Sequence, residues 1–177
     1  MKTTALRGRF FLLGLILAAF TFAGCSSTKP GRAKAHTISI SLDPSLQGQR
    51  VLVDLVAVNP SQKRQWEEKS MTEYWGASDD LRASARKVTM ELSQADKPQT
   101  FSVKDPLWKE WLSVGASDVF VLADIPNLGR KDDKPAEADA RRRILPLDPK
   151  RWESGTQELR VVVKRGGLEV VSRQRAR

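Results

Sequence analysis

Residues 37–42, Thr-Ile-Ser-Ile-Ser-Leu, alternate strictly between polar and apolar side chains. A period of two puts Ile38, Ile40 and Leu42 on one face of an extended chain and the hydroxyls on the other. Such a face is stable only when it is covered, so the segment predicts a half-buried β-strand. The same pattern recurs along the chain. Residues 50–58 are β-branched and apolar, with Val51, Val53, Leu55 and Ala57 sharing a face. Residues 118–125 (DVFVLADI) read as a central strand. Segments 87–92, 99–103, 143–147, 158–164 and 168–173 complete a set of seven to eight short strands. Arg165-Gly166-Gly167 is a hairpin signal between the last two. Asp43-Pro44 and Gly48 sit between 37–42 and 50–58, and those two strands read as a second hairpin.

Helical signals interrupt the strands without alternating with them. Asn59-Pro60 can cap and start a helix over 61–75. Ser78-Asp79-Asp80 opens another, with Arg86 and Lys87 at its far end, where the helix dipole favours cations. Asp105-Pro106 opens a helix over 107–114 that Gly115 closes. Leu107, Trp111 and Val114 recur at i, i+4 and i+7, the spacing of a core-facing stripe. Residues 126–140 read as a long polar loop. A doubly wound α/β sheet needs regular β–α alternation, which is missing here. The fold class is therefore mainly β: an antiparallel β-sandwich with one or two short helices.

The first 24 residues stand apart. Lys2, Arg7 and Arg9 precede residues 10–22, which carry no charge. A membrane-spanning helix needs roughly 20 apolar residues to cross a ~30 Å hydrocarbon core, so this run is too short to span. Ala23 and Gly24 follow, then Cys25, the only cysteine of the chain. The order basic, apolar, small is that of a secretory signal. A free cysteine after an ordinary signal is one reading of Cys25. The other comes from the tetrapeptide itself: Phe22-Ala23-Gly24-Cys25 resembles the lipobox of bacterial lipoproteins, with Phe22 in place of the usual leucine. That resemblance implies that Cys25 is diacylglycerol-modified, further acylated (the palmitate class) and exposed as the new N-terminus. Ser26, rather than an aspartate, follows it, which by the same resemblance implies the outer membrane, facing the periplasm. The chain then divides into a signal at 1–24, a polar tether at 25–35 and one β-sandwich domain at 36–177 with a basic tail.

Composition narrows the chemistry. The 177 residues carry 30 Lys and Arg against 21 Asp and Glu, a formal +9. One cysteine and one histidine exclude an internal disulfide, a CxxC pair and multi-His or multi-Cys metal ligation. His36 lies where the tether meets the first strand, a poor seat for a catalytic base that must be held by a third group. Ser84 and Lys87 match S-x-x-K, but the K-T-G partner motif is missing. The acid pairs Glu67/Glu68, Asp79/Asp80 and Asp132/Asp133 are sequence neighbours, which do not face one another on a helix. No cofactor, no metal and no enzymatic activity are expected. Residues 141–177 hold 11 basic and four acidic side chains, a net +7, against −1 for residues 25–140. Arg141, Arg142, Arg143, Lys150 and Arg151 are the candidate contacts for an anionic lipid surface or an acidic protein patch. A solvated basic face is the plainer reading of the same residues. An exported protein has no nucleic-acid partner.

The layout also resembles the outer-membrane lipoproteins of type VI secretion systems, the TssJ type. The likeness rests on the lipobox and tether, on Ser41-Leu42-Asp43-Pro44 with Gly48 before the strand Val51-Leu52-Val53-Asp54-Leu55, and on Val119-Phe120-Val121-Leu122-Ala123-Asp124. The C-terminal hairpin fits as well. It implies a transthyretin-like, immunoglobulin-like sandwich that performs no catalysis. It also implies a docking partner, the periplasmic domain of a TssM-type inner-membrane protein. A basic polyanion- or lipid-binding lipoprotein module is the alternative.

Overall fold

A computed structural model describes residues 32–128 and 139–175. Eight strands form two four-stranded sheets. One sheet has β4 (Gln99–Phe101), β1 (Thr37–Leu42), β7 (Glu158–Lys164) and β8 (Gly167–Val170), in that order. The other runs β3 (Lys87–Leu92), β2 (Val51–Val58), β5 (Asp118–Asp124) and β6 (Arg142–Pro146). The inward faces meet in one core. Ile38, Ile40 and Leu42 of β1 pack with Val51, Val53 and Leu55 of β2, Val119, Val121 and Ala123 of β5, and Val161 and Val163 of β7. The expected sandwich is present.

Two pairings differ from the sequence reading. β1 and β2 are not a hairpin. They lie in opposite sheets, and residues 43–50 cross between the layers. Each strand carries its own apolar stripe, and the stripes cover one another face to face, which edge-to-edge pairing would not achieve. Second, β1 pairs with β7 in parallel, Thr37 opposite Glu158 through Leu42 opposite Val163. The other strand pairs are antiparallel, including the C-terminal hairpin of β7 and β8.

The helices are short, as capping and length require. Residues 61–75 form two pieces, α1 (Lys63–Glu68) and α2 (Met71–Tyr74); Ser70 caps α2 by accepting from the Glu73 amide. α3 (Asp80–Ser84) starts at Asp79, whose carboxylate accepts from the Arg82 amide. These three pieces lie between β2 and β3. α4 (Leu107–Ser113) closes one end of the core. Its buried side is Trp108 and Trp111, with Leu107 half-buried against the core, while Val114 is 62% exposed, so the predicted stripe holds at Leu107 and Trp111 and fails at Val114. The helix stops at Ser113, and Val114, as its cap, turns outward. Phe101, Trp108 and Trp111 form a ring cluster with centroids 5.1–5.2 Å apart. Their indole N–H groups donate to Ser102 O and Arg86 O, both at 3.1 Å, so the rings are buried without orphaned donors.

Candidate functional site

The outer face of the β3-β2-β5-β6 sheet would be solvent-exposed in a bare sandwich. Here α1, α2 and α3 cover it. Val56 and Val58 of β2 and Phe120 and Leu122 of β5 pack against Trp66, Met71 and Tyr74 in a second apolar cluster. Trp66 lies edge-on to Tyr74 at 5.9 Å and tilted against Phe120 at 6.3 Å.

A carboxylate sits beneath this cover. Asp54 points from the same outer face of β2 and is fully buried. It accepts from Tyr74 Oη at 2.9 Å, from Arg82 Nε at 2.9 Å and from Thr89 Oγ1 at 2.6 Å. The three donors come from α2, α3 and β3. Arg82 also lies over the Trp75 ring, 4.3 Å from its centroid. Burial, reinforced by the Asp54 charge, pushes the Tyr74 phenol well above its ordinary value, so it stays a donor. The network holds the insertion to the sheet. Both Asp54 oxygens are taken up, Oδ2 by Tyr74 and Arg82 and Oδ1 by Thr89. The sequence reading did not single it out, although one charged residue inside Val51-Leu52-Val53-Asp54-Leu55-Val56 was its signal: an acid on a covered strand requires partners.

The predicted basic contacts separate into two groups. Arg141 and Arg142 are buried, at 5% and 1% exposure. Arg141 forms a forked pair with buried Asp139, Nε to Oδ1 at 3.1 Å and Nη2 to Oδ2 at 2.9 Å, and also reaches Thr72 Oγ1 at 3.3 Å. Arg142 donates to Trp66 O at 2.9 Å and Lys69 O at 2.8 Å, which satisfies carbonyls at the C-terminal end of α1. Arg143 is half-buried and donates to Asp139 O at 3.1 Å. Arg141 and Arg142 thus fasten the insertion to β6 and do not face solvent as a docking surface. Lys150 is exposed and Arg151 half-exposed, on the 3-10 turn Pro149–Arg151 that follows β6. Cys25 and residues 129–138, which include Asp132 and Asp133, lie outside the described residues.

The remaining candidates have structural partners. His36 is 6% exposed, and its Nε2 lies 3.3 Å from Leu147 O. Burial lowers its pKa below the ordinary 6.5. Ser84 Oγ donates to Asp80 O at 2.7 Å and Lys87 Nζ to Arg82 O at 2.6 Å, so both are bonded to main-chain carbonyls of α3. Among the described residues, no group of three or more His, Cys, Asp or Glu side chains is placed to hold a metal ion.

No protein-family model and no curated protein matches the chain. Solved structures do. The chain is similar to the C-terminal domain of the T6SS protein TssM from EAEC, at TM-score 0.53 and 14% identity over 77% of this chain and 99% of that one. It is similar to Lip of Serratia marcescens, a membrane-bound component of the type VI secretion system, at TM-score 0.50 and 15% identity over 80% and 98%. The T6SS lipoprotein TssJ1 from Pseudomonas aeruginosa aligns at TM-score 0.49 and 11% identity over 81% and 99%. At such identities the likeness is one of fold, and it spans nearly the whole of each neighbour. The chain is a β-sandwich that shares its fold with Lip of Serratia marcescens and with the TssM C-terminal domain.

Proposed function

We propose that this protein is a non-enzymatic, lipid-anchored component of a bacterial envelope complex of the type VI secretion kind. It is held in the outer membrane by Cys25, and its sandwich faces the periplasm. There it docks the periplasmic domain of a TssM-type inner-membrane protein. The observation that carries the reading is the end-to-end fold match to Lip, a membrane-bound type VI component, in a chain whose only cysteine follows a signal-like apolar run.

The fold by itself is shared by Lip and by the TssM C-terminal domain. What favours the lipoprotein role is the N-terminal order of basic residues, uncharged residues 10–22 and Cys25. The tightly packed interior supports a docking role over catalysis: the buried acids Asp54 and Asp139 are taken up by Tyr74, Arg82, Thr89 and Arg141. Expression of the whole chain in a Gram-negative host tests the anchor. The intact mass of the membrane-extracted protein should show cleavage before Cys25 and acylation, and the Cys25→Ser chain should lose both. A mature protein without lipid overturns the anchor.

A further inference from the structure

The topology gives the sandwich two unlike ends. β1 and β7 begin at the same end because they are parallel and in register from Thr37 and Glu158. β5 begins beside the end of β2 and the end of β6, with Asp118 opposite both Val58 and Pro146. The two sheets are stitched together there: Lys34 N, ahead of β1, donates to Leu147 O, after β6, at 3.0 Å. The C-terminal strand folds back to the same end, where Arg175 N donates to Arg151 O at 2.9 Å and Trp152 bridges to Gln174.

This end is also where the chain arrives from Cys25. Six residues, 26–31, separate Cys25 from Arg32, and the seven steps between them reach at most about 25 Å when extended. A lipid on Cys25 therefore keeps this end within that distance of the bilayer. Of the segments that converge here, 32–36, 147–153 and 171–175 carry Arg32, Lys34, Lys150, Arg151, Arg173 and Arg175 against Asp148 and Glu153, a net +4; residues 102–117, joined to the same end by Leu147 N donating to Ser117 O, add Lys104 and Lys109 against Asp105 and Glu110 and leave that net unchanged. The first six cations are exposed except Arg151, which is half-exposed. Asp148 accepts from the Lys150 amide at 2.9 Å, and Glu153 lies 4.0 Å from Arg173. The turns at the opposite end, 43–50, 93–98 and 165–166, hold Asp43, Arg50, Asp96, Lys97 and Arg165, a net +1.

We propose that the end of the sandwich built from Arg32, Lys34, Lys150, Arg151, Arg173 and Arg175 rests on the phosphate-bearing headgroups of the membrane that holds the lipid. Juxtamembrane cations are drawn to anionic headgroups, and the attraction falls off within about 10 Å at moderate salt, so a tether that keeps the surface close strengthens it. Docking there would set the orientation of the domain. The turns at 43–50, 93–98 and 165–166 then face away from the membrane. The proposal rests on the lipid-anchor reading for its geometry, and it uses residues other than the buried Arg141 and Arg142.

The test uses the processed full chain, reconstituted into vesicles of phosphatidylcholine alone or with phosphatidylglycerol. Hydrogen exchange is followed in segments 32–36, 147–153 and 171–175. These should exchange at least tenfold more slowly on the phosphatidylglycerol vesicles, and about 0.5 M salt should erase the difference through screening. The set Arg32→Gln, Lys34→Gln, Lys150→Gln and Arg175→Gln should abolish it. A control set at the opposite end, Arg50→Gln, Lys97→Gln, Lys164→Gln and Arg165→Gln, removes the same charge and should leave it intact. Equal exchange on both vesicles, or equal loss in both variants, overturns the docking surface. The intact mass reports the lipid separately. If Cys25 is bare, the anchor fails, and flotation of the same chain with phosphatidylglycerol vesicles decides the surface alone: binding weakened only by the first variant set upholds it, and no binding overturns it.

Discussion

Asp54→Ala probes the attachment of the helical insertion to the sheet. The substitution removes the acceptor for three donors from three elements. Removing one partner of a fully buried ion pair costs about 3–5 kcal/mol. Arg82 retains 26% side-chain exposure, so its stranded charge reaches water and its share falls to about 2 kcal/mol. Tyr74 is fully buried, and its orphaned hydroxyl adds about 1 kcal/mol. Thr89 is exposed and adds little. The sum is about 3 kcal/mol, or a melting temperature about 6–12 °C lower for a domain of this size. Urea denaturation followed by Trp fluorescence measures it. Asp54→Asn keeps one acceptor oxygen without the charge and should lie between parent and Asp54→Ala. Arg50→Ala, which breaks an ion pair whose side chains are 67% and 53% exposed, should leave the denaturation midpoint close to that of the parent. An Asp54→Ala loss no larger than that of Arg50→Ala would refute the reasoning.

Three further outcomes follow from other parts of the fold. Arg142→Ala leaves Trp66 O and Lys69 O without their donor and should cost about 2–3 kcal/mol, with Arg142→Lys recovering only part, as denaturant midpoints will show. Gly167→Ala should cost at least about 2 kcal/mol, because Gly167 has φ +130° and an added Cβ would lie 2.5 Å from Ala140 O; the same assay reads it. His36 has its folded pKa lowered from 6.5 by burial, so the unfolded chain binds a proton that the folded chain resists. Its contribution to stability is present above about pH 6.5 and is lost as pH falls toward the folded value. Melting temperatures between pH 7.5 and 5 should fall less steeply for His36→Gln than for the parent.

The sequence showed the strands well because most carry a one-sided apolar stripe, and Ile38, Ile40 and Leu42 are buried as their alternation requires. Partner choice was not legible. The stripe of β1 states that it needs a cover, not whether the cover is a neighbouring strand or the opposite sheet, and the parallel partner β7 lies more than 100 positions away. The basic residues misled for a related reason. Net charge counts Arg141 and Arg142 as surface cations, while the fold pairs one with Asp139 and caps α1 with the other. Arg142 is taken up by main-chain carbonyls from distant positions, and Arg141 by an aspartate only two residues before it; composition registers neither pairing. Asp54 was visible as an anomaly within β2, but its donors at Tyr74, Arg82 and Thr89 become neighbours only when the insertion folds over the sheet.

The central claim is that this sandwich is the anchored partner of a TssM-type protein. Calorimetry between the processed lipoprotein in detergent and the periplasmic domain of the TssM-type protein from the same secretion system tests it most directly. The account predicts a saturable complex with a Kd of about 1 μM or tighter, equivalent to roughly −8 kcal/mol. Absence of heat and of co-elution at about 100 μM of each protein, with both shown to be folded, would contradict it.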